Sequence, residues 1–268
     1  MSPPANPFKR WLEKDRPHPA LGTWVMSASP AVAEAMGFCG FDFLIVDMEH
    51  VPVDLPQAIE LLRAIAGTPA APVVRLPWND QVLVKRVLDA GAQTLMFPFI
   101  QNAEEARRAV SYTRYPPEGV RGVAAIHRAS RYGQAAGYLQ GAGQEIRTIL
   151  QLETPAALAA LPEIAAVPGV DALFVGPGDL AAAMGHLGDI AAPEVQEAVA
   201  GAAAAARRRG RPVGIVGPNP DMVRRFFDYG YDFSAVASDM AMLTGRAAEF
   251  LGALRGTPTP GPTSAAAY

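Results

Sequence analysis

Cysteine is almost absent from this chain. Cys39 is the single cysteine among 268 residues, so no disulfide can form within one chain and no site built from several thiolates can hold a metal. Its neighbours Met36, Gly37 and Phe38 predict that Cys39 is a small buried hydrophobe rather than a reactive thiol. The chemistry of the protein therefore has to come from other side chains.

Positive charge and long apolar segments are also lacking. The formal net charge is −3 at pH 7, which argues against nucleic acid as a partner because phosphate binding needs a basic excess. No window reaches the roughly 18 uncharged apolar residues of a membrane span. Residues 1–10 lack the apolar core of a signal peptide. We therefore expect a cytoplasmic protein that binds neither nucleic acid nor membrane.

Lysine is scarce as well. The lysines are Lys9 and Lys14 in the amino-terminal segment and Lys85 on a predicted outer helix. A mechanism in which a lysine forms a Schiff base with a carbonyl substrate needs a lysine that reaches into the active site. None of the three has a sequence position that predicts this, so such a mechanism has no candidate residue.

No Gly-x-Gly-x-x-Gly motif lies between a predicted strand and a helix, which leaves a doubly wound nucleotide-binding sheet as the weaker alternative. What is present is a regular alternation of about eight short apolar runs with helix-forming segments. This pattern predicts an α/β fold, a (β/α)8 TIM barrel, formed as one domain by residues 1–255. The Pro/Thr/Ala-rich tail 256–268 is expected to be disordered.

One stretch, residues 113–145, interrupts the alternation. It contains Pro116-Pro117 and a run rich in glycine, alanine and glutamine, so we expect it to be irregular. Long irregular insertions in compact domains usually serve as lids or interfaces. This insertion is therefore expected to help shape the mouth of the barrel.

Polar side chains stand where the apolar runs end. A barrel brings the carboxyl ends of all its strands to one mouth, so these residues are expected to converge there. Each carboxylate alone could be a salt-bridge partner or a helix cap, as Asp179 could be for the helix that follows it. The set comprises Trp24, Asp47, Glu49, His50, Arg75, Gln151, Glu153, Asp179 and the backbone amides around Gly176–Gly178.

Two of these carboxylates have the character of metal ligands. Glu153 and Asp179 follow neighbouring predicted strands and would supply two oxygens, which suits Mg²⁺ or Mn²⁺ completed by water and a chelating substrate. A 2-oxo acid is such a chelator. The amides of Gly178 and Asp179, at the start of a helix, would receive its carboxylate.

His50 is the histidine predicted to lie at a strand exit, and imidazole is the usual general base near neutral pH. Arg75 would stabilise negative charge that develops on a keto oxygen. The other histidines, His18, His127 and His186, lie in predicted loops. His127 is the strongest candidate of these three because the insertion that carries it can fold over the mouth.

Several motifs along the chain resemble those of one family, the metal-dependent class II pyruvate aldolases of the HpcH/HpaI type. The resemblance implies a (β/α)8 barrel in a hexamer whose last helix is exchanged between subunits. It also implies cleavage of 4-hydroxy-2-oxo acids to pyruvate and an aldehyde with Mg²⁺, Mn²⁺ or Co²⁺. Because the chain has no candidate Schiff-base lysine, a metal must be the electron sink if this chain is an aldolase. The motifs are Leu44–His50, Pro72–Arg75, Leu88–Gly91, Thr113–Val123, Leu150–Glu153 and Phe174–Leu180.

The resemblance assigns roles by motif position. His50 is the base, with Asp47 and Asp89 tuning it, and Arg75 stabilises the enolate. Glu153 and Asp179 hold the metal, and Gln151 and the amide of Gly178 bind substrate. Trp24, Asp179 and Val216 are further candidates for substrate binding. From pattern alone, Asp89 is a helix-terminal residue that faces solvent.

This sequence departs from the family pattern beside the base, where Met48 replaces the usual glycine, and in the loop after Val216, which bears on the aldehyde preference. Two other functions stay open. An acyl-CoA lyase of the citrate-lyase type would need a basic nucleotide groove, for which the sequence gives no clear sign. A barrel that only binds a keto acid would lack the activity altogether.

Overall fold

The computed structural model describes residues 4–13 and 15–256, so Lys14 and the predicted disordered residues 257–268 lie outside the described part. Eight parallel strands close into a barrel in chain order, and β8 pairs back onto β1. This confirms the predicted (β/α)8 barrel. The strands are β1 (Ala20–Val25), β2 (Phe43–Asp47), β3 (Ala71–Arg75), β4 (Thr94–Phe97), β5 (Arg147–Leu152), β6 (Ala172–Val175), β7 (Val213–Gly217) and β8 (Phe233–Ser238).

The helices alternate with the strands, and several begin at a polar residue whose side chain accepts a backbone N–H of the first turn. Asp80, Asn102, Thr154 and Asn219 cap four of them in this way. The helices are α1 (Pro30–Phe38), α2 (Leu55–Ile65), α3 (Gln81–Asp89), α4 (Ala103–Thr113), α5 (Tyr138–Glu145), α6 (Pro155–Ala159), α7 (Leu161–Ala165), α8 (Pro177–Ala183), α9 (Pro193–Arg208), α10 (Pro220–Tyr229) and α11 (Asp239–Arg255).

A column of aromatic rings fills the inside of the barrel. Phe8, from the amino-terminal segment, is fully buried and packs edge-on against Phe43 and Phe233, with ring centroids 5.4 and 5.8 Å away. Phe174 continues the column, 6.0 Å from Phe233, and Trp24 follows 6.3 Å from Phe174. The column therefore runs from the floor of the barrel to the strand exits.

Two glycines make room for these rings. A Cβ atom on Gly22 would lie 2.3 Å from the ring of Phe43, and one on Gly214 would lie 2.2 Å from the ring of Phe233. Because real Cβ contacts are never this short, β1 and β7 need glycine at these positions. The second core, between strands and helices, is built instead from branched aliphatic residues and alanine.

The insertion is more ordered than its composition predicts. Residues 114–146 contain a 3-10 helix (Arg128–Ser130) and α5, so the expectation of an irregular segment is wrong in its second half. Ser130 is buried and its hydroxyl donates to the carbonyl of Ala125 at 2.8 Å. Such side-chain bonds to the backbone stabilise a glycine-rich stretch that has little apolar periodicity.

Helix α11 leaves the barrel at β8 and buries only Asp239 and Gly252. Leu243, Phe250 and Leu254 are exposed on it, Leu254 by 86% of its surface. Cys39 is also exposed, contrary to the sequence-based expectation, because it follows the last turn of α1 rather than a packed position within it. In the described residues no helix is both long and apolar enough to cross a membrane.

Candidate active site at the strand exits

Asp47 and Arg75 end neighbouring strands and pair across them. The two residues are register partners of β2 and β3, and both side chains are completely buried. Arg75 donates Nε to Asp47 Oδ1 at 2.9 Å and Nη2 to Asp47 Oδ2 at 2.7 Å. Trp24 lies against the guanidinium, 4.1 Å from its ring centre. Two-point pairing and stacking together fix the orientation of Arg75.

Glu49 joins this pair, although the sequence places it only among the strand-exit residues and assigns it no role. Its Oε2 lies 3.2 Å from Nη1 of Arg75. Burial raises the pKa of Glu49 above its usual value, while the charges of Arg75 and His50 act in the opposite direction. The only signal in the sequence was the position of Glu49 between Asp47, which ends a strand, and His50. Arg75 therefore faces two carboxylates, those of Asp47 and Glu49, which are two residues apart in the chain.

His50 lies at the rim with half of its side chain exposed, and its Nε2 is 3.9 Å from Glu49 Oε2. Asp47 Oδ1 accepts the backbone N–H groups of Glu49 and His50 at 2.9 and 3.4 Å. Asp47 thus positions the turn that carries the imidazole through the backbone, and no described contact joins it to the ring. Met48, between them, packs in the outer core and not in the mouth.

Glu153 and Gln151 enter the mouth from the end of β5. Both are buried, and Glu153 Oε1 and Gln151 Oε1 have no hydrogen-bond partner among the described residues. Burial, then the charges of Glu49 and Asp179, raise the pKa of Glu153 to about 8. A carboxylate that is buried without a partner is costly for the fold, so Glu153 is a candidate ligand.

Asp179 lies in the first turn of α8, exposed to the mouth side of the fold. The N-cap of α8 is Gly176, which has no side chain to cap with, so the alternative that Asp179 caps this helix is wrong. Gly176 instead makes room for Glu153: a Cβ atom there would lie 2.9 Å from Glu153 Cγ. Gly178 and Asp179 are among the first residues of α8, whose N–H groups have no acceptor within the helix.

These acidic groups fit a hard divalent cation. Oε1 of Glu153 has no hydrogen-bond donor among the described residues. The negative charge of Asp179 contributes to the raised pKa of both Glu153 and Glu49, so the three carboxylates lie within electrostatic range of one another. In residues 4–13 and 15–256, no three His, Cys, Asp or Glu side chains converge closely enough to surround an ion on their own. A site here would therefore use few protein oxygens and leave positions for water and substrate.

One further substrate-binding candidate, Val216, lies in the barrel interior. Val216, on β7, is buried in the same apolar cluster as Trp24 and Phe174, beneath the mouth. The described lysines stay away from this region, because Lys85 is on outer helix α3 and Lys9 forms an ion pair with Glu145 at 3.0 Å. The prediction that no Schiff-base lysine is available holds for these two lysines.

Asp89 is the one assigned residue that the fold keeps apart from the others. It ends α3, which runs from the exit of β3 to the entrance of β4, so it lies toward the opposite end of the barrel from the strand exits. Its carboxylate accepts Nη2 of Arg121 at 2.7 Å and lies 3.6 Å from Nε2 of His127. Neither Asp89 nor His127 contacts His50 within the described chain.

Comparison with known proteins adds a family and near relatives. The sequence profile of the "HpcH/HpaI aldolase/citrate lyase" family matches residues 20–245. A 2-dehydro-3,6-dideoxy-6-sulfogluconate aldolase of Pseudomonas putida is 54% identical over 90% of this chain and 94% of its own. A 5-keto-4-deoxy-D-glucarate aldolase of Salmonella arizonae is 44% identical over 83% of this chain and 87% of its own.

Solved structures agree with the fold. The chain superposes with a TM-score of 0.90 on a protein of this family from Burkholderia cenocepacia, at 42% identity, covering 94% of this chain and all of the other. A second structure, an aldolase from Desulfitobacterium hafniense, gives a TM-score of 0.82 at 28% identity and covers 90% of this chain and 94% of the other.

Proposed function

Because the chain belongs to the HpcH/HpaI aldolase/citrate lyase family, we propose that it is a divalent-metal-dependent aldolase for six-carbon 2-keto-3-deoxy acids. At the coarser level the chain is an aldolase, a carbon–carbon lyase that releases pyruvate and an aldehyde. The observation that carries the finer proposal is the arrangement of Arg75 against Asp47 and Glu49, beside His50 and the unpartnered carboxylate of Glu153.

The substrate class follows from the chemistry that the relatives' names share. A 6-sulfogluconate derivative and a keto-deoxyglucarate both have a keto acid at one end, a methylene group, a hydroxyl that aldol cleavage needs, and an anion at the far end. Cleavage of either yields pyruvate and a three-carbon hydroxyaldehyde with an anionic terminus. The higher identity to the sulfonate enzyme makes the sulfonated acid the first substrate to test.

The reaction can be written for this chain's residues. His50 takes the proton from the C4 hydroxyl, the C3–C4 bond breaks, and its electrons form the enolate of pyruvate as the C4 carbonyl of the aldehyde appears. Arg75 stabilises the enolate by its charge, and the enolate then accepts a proton at C3. A cation held by Glu153 and Asp179 would act as a Lewis acid at the keto acid.

The remaining residues would bind the substrate. We expect the side chain of Gln151 and the amide of Gly178 to hold the keto acid, and Asp179 to contribute an oxygen to the cation. Trp24 and Val216 form apolar surface below it and exclude water from the enolate. Met48 lies outside the mouth, so it does not define the aldehyde pocket.

Asp89 can assist His50 only across a subunit boundary, because the two lie apart within one chain. Asp89 is partly exposed and His50 is half exposed, so both are accessible to a second copy. The apolar side chains of α11 support the same arrangement: a hexamer in which this helix packs on a neighbouring subunit. Leu254→Glu should then lower the mass measured by light scattering, and an unchanged mass would argue against exchange of α11.

The activity test measures pyruvate release with lactate dehydrogenase. The enzyme is treated with EDTA, then assayed with and without Mg²⁺ or Mn²⁺ on the sulfonated acid, on keto-deoxyglucarate and on a citramalyl-CoA type thioester, whose cleavage also releases pyruvate. We expect metal-dependent cleavage of the two sugar acids and none of the thioester. Full activity after EDTA would refute the metal's role, and cleavage of the thioester alone would favour the acyl-CoA lyase. A keto-acid-binding barrel without activity would release no pyruvate from any of them.

A further inference from the structure

The carboxylate of Asp89 is held through one of its two oxygens. Its Oδ1 accepts Nη2 of Arg121 at 2.7 Å, and Nε2 of His127 lies 3.6 Å from the same oxygen. In residues 4–13 and 15–256 no hydrogen bond or ion pair involves Oδ2, and 22% of the Asp89 side chain is exposed. The insertion therefore approaches one oxygen and leaves the other accessible from outside the chain.

Arg121 gives Asp89 a fixed point of attachment. Its side chain is completely buried, and the guanidinium carbon lies 4.5 Å from the ring centre of Tyr115. One hydrogen bond still allows a carboxylate to turn about the line that joins donor and acceptor, whereas two donors fix its orientation. A second donor beside Arg121 would therefore decide the direction in which Oδ2 points.

His127 has a ring that cannot turn freely. Its Nδ1 accepts the backbone N–H of Ser130 at 3.2 Å, and the hydroxyl of Ser130 accepts the backbone N–H of His127 at 3.2 Å. This reciprocal pair caps the 3-10 helix. Tyr138 packs edge-on against the imidazole, with ring centres 5.2 Å apart, and only 10% of the His127 side chain is exposed.

The cap also determines which ring nitrogen carries the proton. Because Nδ1 of His127 accepts an N–H, it is unprotonated, and the proton of the neutral ring is on Nε2. This buried nitrogen has no hydrogen-bond partner among the described residues, and the carboxylate of Asp89 is the acid it faces. Contacts of this kind are often long in a free enzyme and shorten when the site is complete.

We propose that His127 is a positioning residue, whose Nε2–H acts with Arg121 to hold Oδ1 of Asp89 so that Oδ2 is presented to His50 of the partner subunit. The proposal rests on the function proposed above, in which Asp89 serves His50 across a subunit boundary. Arg121 already balances the charge of Asp89, so a second cation would weaken the attraction between Asp89 and a protonated His50. A neutral N–H orients the carboxylate without this loss.

Two variants separate the two edges of the imidazole. His127→Asn keeps an acceptor near the position of Nδ1, and with it the cap of the 3-10 helix, but its side chain is too short to reach Asp89. His127→Gln places an amide N–H near the position of Nε2 and loses the cap. Pyruvate release is measured on the acid that the wild type cleaves best, together with thermal unfolding and the mass from light scattering.

We expect His127→Asn to lower kcat about tenfold or more, because it removes a donor to a charged group. KM should hardly change, since Asp89 acts on the base and does not bind substrate. The melting temperature and the mass should stay those of the wild type. His127→Gln should melt at a lower temperature but keep most of the activity. The matched control is His18→Asn, which removes an imidazole 3.8 Å from Asp42 at the same end of the barrel and should alter neither kcat nor KM.

A double variant tests whether His127 acts through Asp89. Adding His127→Asn to Asp89→Asn should cost no further activity. A further loss in the double variant, equal losses of activity in His127→Asn and His127→Gln, a loss that accompanies a lower mass, or wild-type kcat in His127→Asn would each overturn this proposal, even with Asp89→Asn inactive. Wild-type activity in Asp89→Asn would instead refute the role of Asp89 in the proposed function, and the proposal with it.

Discussion

The carboxylate of Asp47 serves two neighbours at once: it accepts Nε and Nη2 of Arg75, and its Oδ1 also accepts the backbone N–H of Glu49. One buried side chain therefore fixes both the guanidinium and the turn that leads to His50. We expect Asp47→Asn to lower the free energy of unfolding by about 3 kcal/mol, because the buried guanidinium of Arg75 loses its two-point carboxylate partner and keeps only the ion pair with Glu49.

The same variant should lose activity beyond the loss of folded protein, with kcat/KM about a hundredfold lower at a temperature where it is folded. Urea unfolding and the coupled pyruvate assay measure the two effects separately. Asp221→Asn, in an exposed ion pair with Arg224, is the control and should change neither quantity appreciably. Wild-type kcat/KM in Asp47→Asn would contradict the role given to this pair.

Glu153 should make the metal-free protein less stable as the pH rises. Its pKa is about 8 in the fold against a usual value of 4.5, so between these pH values the folded protein holds a proton that the unfolded chain has released. The contribution of Glu153 to the free energy of unfolding therefore falls by an amount on the order of 2–4 kcal/mol between about pH 5 and pH 8. Below and above this range the contribution does not change with pH.

Glu153→Gln cannot ionise and should lack this pH-dependent loss. The measurement is thermal unfolding at pH 5.5 and pH 8.5 without metal, where the variant should exceed the wild type only at the higher pH. Added Mn²⁺ should raise the melting temperature of the wild type at pH 8.5 and leave the variant unchanged, because the ion needs the ionised carboxylate. The same melting temperatures for both proteins at both pH values would show that burial does not perturb Glu153.

Gly214 should tolerate no side chain. Its alanine variant places Cβ 2.2 Å from the ring of Phe233, which has no space to move because Phe43 and Phe174 pack around it. We expect a loss of about 3 kcal/mol or more in urea unfolding. Gly201→Ala is the matched control: nothing lies within 4 Å of its added Cβ in the middle of α9, and it should gain about 0.5–1 kcal/mol. Equal stability of the two variants would disprove the tight packing.

If Asp89 serves the His50 of a neighbouring subunit, two inactive variants should restore each other. His50→Gln and Asp89→Asn chains, unfolded together and refolded as a mixture, would form some sites that combine His50 of one chain with Asp89 of the other. Pyruvate release should then exceed that of either variant refolded alone. A mixture that stays as inactive as its components, while forming the same oligomer, would place Asp89 outside the active site.

The barrel and most of its mouth could be predicted because a closed parallel sheet brings every strand exit to one place. Asp47, Arg75 and Glu153 are at their predicted strand ends for that reason. The ion pair between Glu49 and Arg75 could not be predicted, because it depends on how tightly the chain turns after β2. Hydrogen bonds to Asp47 determine that turn, and hydrophobic periodicity carries no information about them.

Asp89 and Cys39 mark the limit of such reasoning. Asp89 does end a helix, as its pattern predicts, but only the fold reveals that Arg121 from the insertion covers it. The sequence around Cys39 is apolar, yet the residue stands one position beyond α1, where the chain turns toward solvent. Both outcomes depend on contacts or directions that a linear pattern does not contain.

The ring of Phe8 stands at the bottom of a stack that ends at Trp24, directly under the guanidinium of Arg75. The amino-terminal segment thus supports, through these ring contacts, the position of Arg75 at the opposite end of the barrel. Shortening the amino terminus beyond Asn6 would withdraw that support, so an affinity tag belongs in front of the complete segment and not in its place.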